Sequence, residues 1–453
     1  MAMEKFDQAG NAGEVRTVLV LGMGATGASC ARHLAGRGQG AWFADTRVSP
    51  PAAAAIRAAM PEAGLICGEL PGELPPGVAQ VIVSPGVDLQ LPILASARRR
   101  GIPLLSDIDL FMAQRRAPVV GITGSNGKST VTTMVGAILA AAGRRAGVGG
   151  NLGTPALDLL DSAADSYVLE LSSFQLERSA AMDLASAVVL NVAADHLDKH
   201  GTMAAYTAAK ARIYARAAVA IVNRDERSLV SLVPRGSKVV EFGLDTPRGG
   251  HYGVRGQGPG ALLVRGDEPL LAVGELGTTG RHNVSNALAA AALAHSLGAP
   301  DSACVAALRA FRGLPHRMQT VAVTDGVTWM DDSKATNVAA AVTSVGSTEG
   351  PLILIGGGDG KGQTFEDLAT ALRGRNAAVI LIGRDREMMA TALAAVATVE
   401  LVASLPAAVR RARALAQPGT TVLLAPACSS LDMFRSYEHR GQVFASAVLE
   451  AAP

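Results

Sequence analysis

Val119-Val-Gly-Ile-Thr-Gly-Ser-Asn-Gly-Lys128-Ser129-Thr130 decides the fold of this 453-residue chain. The stretch opens on a short β-branched run, Val119 to Thr123, of the kind that forms a buried strand. Gly124 to Gly127 then offer backbone N–H groups as an anion nest, Lys128 adds charge for a phosphate, and Ser129 adds a hydroxyl for Mg²⁺. An Ala-rich helical segment follows. The spacing departs slightly from the usual phosphate-loop pattern, because its first glycine would fall at Ile122 and Gly121 and Gly124 flank that position. A solvated turn with a stray lysine would not bring strand, nest, Lys and Ser into register ahead of a helix. An ATP site is therefore expected, with Gly124, Asn126, Gly127, Lys128, Ser129 and Thr130 as contacts.

Outward from this unit, short apolar runs alternate with Ala-rich helical stretches, the pattern of α/β proteins with parallel sheets. Strands are expected at Thr17–Leu21, Ala41–Asp45, Val81–Ser84, Val119–Thr123, Tyr167–Leu171, Val188–Asn191, Val219–Asn223, Leu352–Ile355, Val379–Ile382 and Thr421–Ala425. Polar loops follow nearly all of them, where open parallel sheets bind ligands. Breaks at Arg115–Pro118 and Gly313–Pro315 divide the chain into 1–113, 114–313 and 314–453. Residues 224–280, rich in Gly, Pro and charge, read as an irregular small-strand excursion of the middle domain.

Composition excludes several classes. A net charge of +2 and short basic clusters without interleaved aromatics do not describe a nucleic-acid binder. Apolar runs end well short of the ~18 to 20 residues of a membrane span. The polar start, Met1 to Arg16, lacks the apolar core of a secretory signal and is expected to fray. Four scattered cysteines, Cys30, Cys67, Cys304 and Cys428, imply neither a disulfide framework nor a zinc knuckle. A soluble, cytoplasmic protein is expected.

Further motifs stand at strand ends. Gly22-Met-Gly24-Ala-Thr-Gly27, with Asp45 closing the next strand, is a good dinucleotide fingerprint, read most simply as NAD; any diphosphate-linked nucleotide presents the same groups. Phosphoryl chemistry calls for strand-end acids near the phosphate loop. Glu170 answers that demand, as do Asp195 and Asp198, which flank His196 and precede His200. The two histidines at i, i+4 lack the H-E-x-x-H pattern, so zinc is not expected. Arg281-His-Asn283-Val-Ser-Asn286 and Leu314-Pro-His316-Arg317 suit helix capping and linker packing equally well. Asp331-Asp332-Ser-Lys334-Ala-Thr336-Asn337, taken alone, suits a solvated turn. Gly356-Gly-Gly-Asp359-Gly-Lys361 places glycines where backbone approaches an anion. In Ala427-Cys428-Ser-Ser430-Leu431-Asp432, a nucleophile pair of Cys428 with His439 competes with simple packing of the cysteine.

The ordered set of the Gly22 turn, TGSNGKST, ELSSFQLE, NVAADHLD, YTAAK, RHNVSNALAA, GLPHR, DDSKATN, GGGDGKG and APACSSLD resembles the Mur ligases over nearly the whole chain. The resemblance implies a Rossmann-like N-terminal domain holding a UDP moiety, a central P-loop ATPase-type parallel sheet and a Rossmann-like C-terminal domain bringing an amino acid. It replaces NAD by a UDP-sugar. The implied activity is ATP-dependent amide-bond formation between UDP-N-acetylmuramoyl-L-alanine and D-glutamate, in peptidoglycan synthesis and hence cell shape and division, by a monomer using two Mg²⁺ ions. It gives Lys128 and Ser129 to phosphate and Mg²⁺, Glu170 to the metal, His196 to a second Mg²⁺, and Lys210 to a carbamate formed with CO₂. Asn283, Asn286, Arg317 and Asp332 join the ATP set. Ala25, Thr26, Asp45, Thr46, Arg47, Ser84, Gly86, Asn151, Ser172 and Gln175 form the UDP-substrate set, Asn151 also matching an ATP position. Lys334, Thr336, Lys361, Ser430, Leu431 and Tyr437 form the glutamate set, with Tyr437 where many relatives carry Phe.

Three alternatives compete. A folylpolyglutamate synthase would share the ATP chemistry but not the Gly22 to Asp45 unit. A nicotinamide dehydrogenase leaves Lys128 to Thr130 and the strand-end acids unexplained. A P-loop binding module would need no second small substrate.

Overall fold

A computed structural model describes residues 17–450. The polar start read above as lacking a signal, 1–16, lies outside the described residues. Three main sheets follow one another along the chain, with a small two-stranded pair beside the second.

The first sheet runs Gly64–Cys67, Ala41–Asp45, Thr17–Leu21, Val78–Val83, Leu104–Leu105, all parallel. Chain order reverses at the central Thr17–Leu21, and such a switch point opens a crevice at the strands' carboxyl ends. The glycine turn at Gly22 emerges there.

In the nine-stranded second sheet, Val119–Thr123 lies between Ser166–Glu170 and Ser186–Val189, parallel to both. All five of its residues are buried. Because these strands are parallel neighbours, the phosphate loop, Glu170 and the loop 190–196 leave one edge side by side. Behind them the helix Lys128–Ala141 packs on Arg281–Ser296, whose run Ala287 to Ala294 is wholly buried. Small side chains there let the two helices approach closely.

Parallel pairing stops at Tyr252–Arg255, which pairs parallel with Lys238–Phe242. The excursion adds Tyr252–Arg255, Leu262–Arg265 and Glu268–Ala272, and its last two joints are antiparallel. Only Gly266 and Asp267 separate the final two strands, with Gly266 at φ 59°, and so short a link permits a hairpin but no parallel crossover. The segment is thus an ordered extension of the central sheet, not an irregular one.

The third sheet runs Gln319–Thr324, Val327–Asp331, Thr421–Leu424, Leu352–Gly357, Ala377–Ile382, Thr398–Leu401. It is parallel apart from the first pair, an antiparallel hairpin turned by Asp325 and Gly326, both at positive φ. Its polar loop after Asp331 meets the phosphate loop through Asn337 and Asn126, and the loop after Gly357 meets the neighbouring loop 190–196 through Lys361 and Asp195. No helix among the described residues is long and apolar enough to cross a membrane.

Candidate active site

The phosphate loop is held open by its glycines and by its neighbour. Gly127 has φ 84°, and a Cβ there would lie 2.7 Å from Asn286 Oδ1, so this position requires glycine twice over. The Asn191 side chain accepts from Asn126 N–H at 2.8 Å and donates to Asn126 O at 3.1 Å. Lys128 Nζ folds back onto Gly124 O at 2.8 Å and Ser125 O at 2.9 Å. Burial lowers its pKa, although Glu170 and Asp195 oppose that shift.

Glu170 offers a metal ligand with a vacant lone pair. Asn151 Nδ2 occupies Oε1 at 2.7 Å, while buried Oε2 has no partner. No three His, Cys, Asp or Glu cluster as a metal cage among the described residues. One free carboxylate oxygen, on the strand beside the one that leads into the phosphate loop, nonetheless fits Mg²⁺, which commonly takes one or two carboxylates and completes its shell with substrate phosphates and water.

Lys210 Nζ donates to Gly124 O at 2.9 Å and lies 4.5 Å above the Tyr206 ring. Burial, then the Lys128 charge, drives its pKa well below the ordinary lysine range. Tyr206 OH in turn meets Ser125 Oγ at 3.2 Å. His196 adopts φ 54° and donates its backbone N–H to Asp195 Oδ1 at 2.9 Å. Its pKa falls to about 4, first through burial and then through Lys361 and Lys128. The imidazole is therefore neutral at pH 7 and able to ligate or accept a proton. Phe174 sits between the rings of His196 and His200, with centroids at 5.2 and 5.0 Å.

Between the second and third sheets lies a cleft of about 620 Å³, within the usual range for small-molecule sites. It joins Asn126, Gly127 and Thr130 to Asn283, Asn286, Arg317, Asp332 and Lys334. The Gly313 linker walls it, with φ 86° at Gly313 and strained left-handed backbone at His316 and Met318. Arg317 is partly buried, and desolvation lowers its pKa. Burial raises that of Asp332, whose carboxylate accepts from Ser344 Oγ and from Met318 N–H at 3.2 Å.

Of the glutamate set, Lys334 lines this cleft, and Thr336, Lys361, Ser430, Leu431 and Tyr437 lie outside its lining. Lys334 Nζ stands 3.7 Å from the Tyr437 ring centroid, and its pKa drops to about 8, through burial first and then Arg317 and Lys128. Tyr437 thus presents its ring face to Lys334, while its carbonyl accepts from Ser333 Oγ at 2.8 Å. Lys361 is ion-paired to Asp195 across the domain boundary. Asn337 spans the same gap, donating to Asp195 Oδ2 and to Asn126 Oδ1, each at 3.2 Å. Thr336 precedes Asn337, Ser430 is buried, and Leu431 is exposed at the rim.

The UDP-substrate set divides over two sheets. Ala25, Thr26, Asp45, Thr46, Arg47, Ser84 and Gly86 surround the glycine turn, whereas Asn151, Ser172 and Gln175 flank Glu170. Asp45 Oδ2 accepts from Met23 N–H at 2.7 Å and from Arg47 Nη2 at 2.6 Å; Oδ1 accepts from Arg47 N–H and Nε at 2.9 and 2.8 Å. All four lone-pair positions are taken, and Arg47 holds the carboxyl down at about 2. A sugar hydroxyl reaches Asp45 only if the half-exposed Arg47 swings aside.

Several contributors carry no motif signal. Arg440, 1% exposed, donates to Ser333 Oγ, Ser333 O and Cys428 O, joining two loops of the third domain. Nothing in the helix Tyr437–Glu450 marks it beforehand, since only the fold reveals an interior arginine. The Cys428 and His439 pair dissolves: burial lifts the thiol to about 12, and His439 Nδ1 accepts from Arg435 N–H instead.

Comparison with known proteins matches each of the three parts of the chain. Residues 16–106 match the Mur ligase MurD-like N-terminal domain, 122–294 the Mur ligase middle domain, and 316–428 the Mur ligase glutamate ligase domain. The chain is 46% identical over 437 residues to UDP-N-acetylmuramoylalanine–D-glutamate ligase of Nitrosococcus oceani, covering 96% of each. It is 46% identical over 438 residues to the enzyme of that name from Pseudomonas aeruginosa, covering 96% of this chain and 98% of that one. A pseudomurein peptide ligase type C from Methanothermus fervidus shares the fold with TM-score 0.64 at 20% identity, covering 96% and 99% of the two chains. The chain belongs to the Mur ligase family.

Proposed function

We propose that this protein joins D-glutamate to UDP-N-acetylmuramoyl-L-alanine, consuming ATP and releasing ADP and phosphate, in peptidoglycan precursor synthesis. The observation that carries this reading is the cleft in which the phosphate loop faces Arg317, Asp332 and Lys334 of the third domain. The 46% identical relatives named for this ligation support the choice of substrates.

The first step is attack of the muramoyl-alanine carboxylate on the γ-phosphorus of ATP, giving an acyl phosphate and ADP. Lys128 meets the charge on the equatorial oxygens once it leaves the Gly124 and Ser125 carbonyls. Mg²⁺, held by Ser129 and Glu170 with His196 and carbamylated Lys210 at a second position, would supply electrostatic stabilisation of phosphoryl and tetrahedral oxyanions. Next the glutamate amine attacks the acyl carbon, forming the C–N bond, and the C–O bond to phosphate breaks. Neutral His196 takes the amine proton or passes it on. Lys361, Thr336 and Ser430 hold the two glutamate carboxylates, and Lys334 on its Tyr437 platform adds positive potential. Closure of the third domain, secured by Lys361 and Asn337, keeps water from the acyl phosphate. We assign 1–113, 114–313 and 314–453 to the UDP-sugar, ATP and glutamate domains, and place the reaction in the cytoplasm.

Oxygen-isotope exchange tests the intermediate. With labelled ATP, the UDP-sugar and no amino acid, the label should scramble from the β,γ-bridge into non-bridging positions. Scrambling that ignores the UDP-sugar, or none at all under conditions of full turnover, would contradict the acyl-phosphate route.

A further inference from the structure

The UDP-sugar candidates lie on two separate sheets, so one substrate must span a gap between domains. The Arg32–Asp158 ion pair and a shared apolar cluster join the two domains elsewhere; beside the glycine turn, one short segment bridges the gap. It begins at Glu170, passes the Ser172 and Gln175 capping box, and continues as the helix Ser173–Arg178. Six residues of helix extend about 9 Å. Its carboxyl end is fixed from behind, because Arg212 donates to Leu176 O at 2.6 Å and to Ser179 O at 2.7 Å, satisfying carbonyls that a helix end leaves open.

Arg178, the last residue of this helix, reaches into the first domain. Its guanidinium donates to Ser84 O through Nη1 and to Val87 O at 2.6 Å through Nη2. The loop so gripped is the wall of the glycine turn: a Cβ on Gly22 would meet Ser84 Oγ at 2.8 Å and Val87 Cγ2 at 3.2 Å. Yet the loop does not depend on Arg178 for its own seat. Ser84 N–H donates to Leu21 O at 2.9 Å and Ser84 Oγ donates to Gly22 O at 3.3 Å, both within the first domain. The guanidinium bonds only carbonyl oxygens, and no carboxylate lies within ion-pair distance of it among the described residues. Such charge-assisted bonds are stronger than neutral ones and directional.

We infer that Arg178 is a positioning residue for the UDP-sugar: it fixes the span between the nucleotide cradle of the first sheet and the Glu170 end of the second, so that one substrate reaches both. The inference rests on the UDP-sugar reading above. It separates two things that a merely structural arginine would not, binding of the nucleotide end and binding of the whole substrate. UDP alone needs only the cradle; the complete UDP-N-acetylmuramoyl-L-alanine needs the distance as well.

Calorimetric titration of the full-length protein with each ligand tests this, for wild type, Arg178→Met and Arg178→Lys. Loss of both bonds in Arg178→Met should weaken the whole substrate about tenfold and raise its KM equally, with UDP alone and the KM for ATP changed less than about twofold. Arg178→Lys, able to reach one carbonyl, should recover part of the loss. Should Arg178→Met lose its cooperative thermal transition, the Lys variant carries the same comparison. Equal binding of the whole substrate by variants and wild type would overturn the inference, as would a loss for UDP alone as large as for the whole substrate. Failure of wild type to bind the UDP-sugar would instead sink the underlying substrate assignment and the inference with it.

Discussion

Lys128 and Lys210 donate to the same oxygen, the carbonyl of Gly124, at 2.8 and 2.9 Å. Two ammonium groups crowded on one buried carbonyl disfavour each other's charge, and Lys210, the more strongly depressed, is poised to be the neutral amine that adds CO₂. Its folded pKa lies below its unfolded one, so the unfolded chain takes a proton that the folded protein resists. Folding is penalised at neutral pH, and the penalty fades as pH rises toward the ordinary lysine range. Lys210→Met should therefore raise the melting temperature of the ligand-free protein by a few degrees while lowering turnover at least about a hundredfold. Wild-type activity should fall in CO₂-depleted buffer and return with bicarbonate. A fully active Lys210→Met would remove this residue from the mechanism.

Asp107 supplies a pH-dependent stability term remote from the chemistry. Burial at the start of the helix Asp107–Gln114 pushes its carboxyl up to about 6, and Oδ1 has no partner. A raised acid destabilises the fold as pH climbs from the unfolded pKa near ~4 through the folded one, by roughly 3 kcal/mol in total. Asp107→Asn keeps the shape without the charge. Its stability gain over wild type, read from urea unfolding, should be roughly 1 to 2 kcal/mol larger at about pH 8 than at about pH 5.

Much of this was legible in the chain, for identifiable reasons. Thr17–Leu21, Val119–Thr123 and Val219–Asn223 form as expected because β-branched runs bounded by Gly, Asp or Asn leave little choice, and Ala41–Asp45 forms through its aromatic pair Trp42 and Phe43. The strand expected at Val81–Ser84 runs Val78–Val83, since Ala79, skipped at a bulge, and Gln80 blur its pattern although Val78 and Gln80 pair with Thr17 and Val18. Residues 238–272 hid their strands behind Gly and charge, because hairpins need glycines and their outer faces are polar. Glu170 and Lys128 stood out through local motif. Arg178 and Arg440 did not, because their importance lies in carbonyls distant along the chain.

The Lys361 and Asp195 ion pair fastens the third domain to the second. Burial pushes the Asp195 carboxyl up, but Lys361 and His196 outweigh it and the net shift is downward. A depressed carboxylate stabilises the closed form above its unfolded pKa and loses that effect as pH falls through its folded one. Asp195→Asn should therefore loosen closure at neutral pH, seen as several-fold faster protease cleavage at Gly313 to Pro315 and turnover lowered about tenfold or more. Cleavage and turnover matching wild type would dismiss the latch.

Tyr437 offers its ring to Lys334 at 3.7 Å. Tyr437→Phe keeps the ring face, so the KM for glutamate should change less than about threefold, whereas Tyr437→Ala should raise it about tenfold. Equal effects of the two variants in steady-state kinetics would shift the role to the phenolic hydroxyl.

Phosphate release from ATP, measured with UDP-N-acetylmuramoyl-L-alanine present and with D-glutamate, L-glutamate or no amino acid, tests the central claim most directly. The account predicts release that requires both the UDP-sugar and an amino acid and strongly prefers D-glutamate. Release that proceeds equally without the UDP-sugar, or that ignores the amino acid, would contradict it.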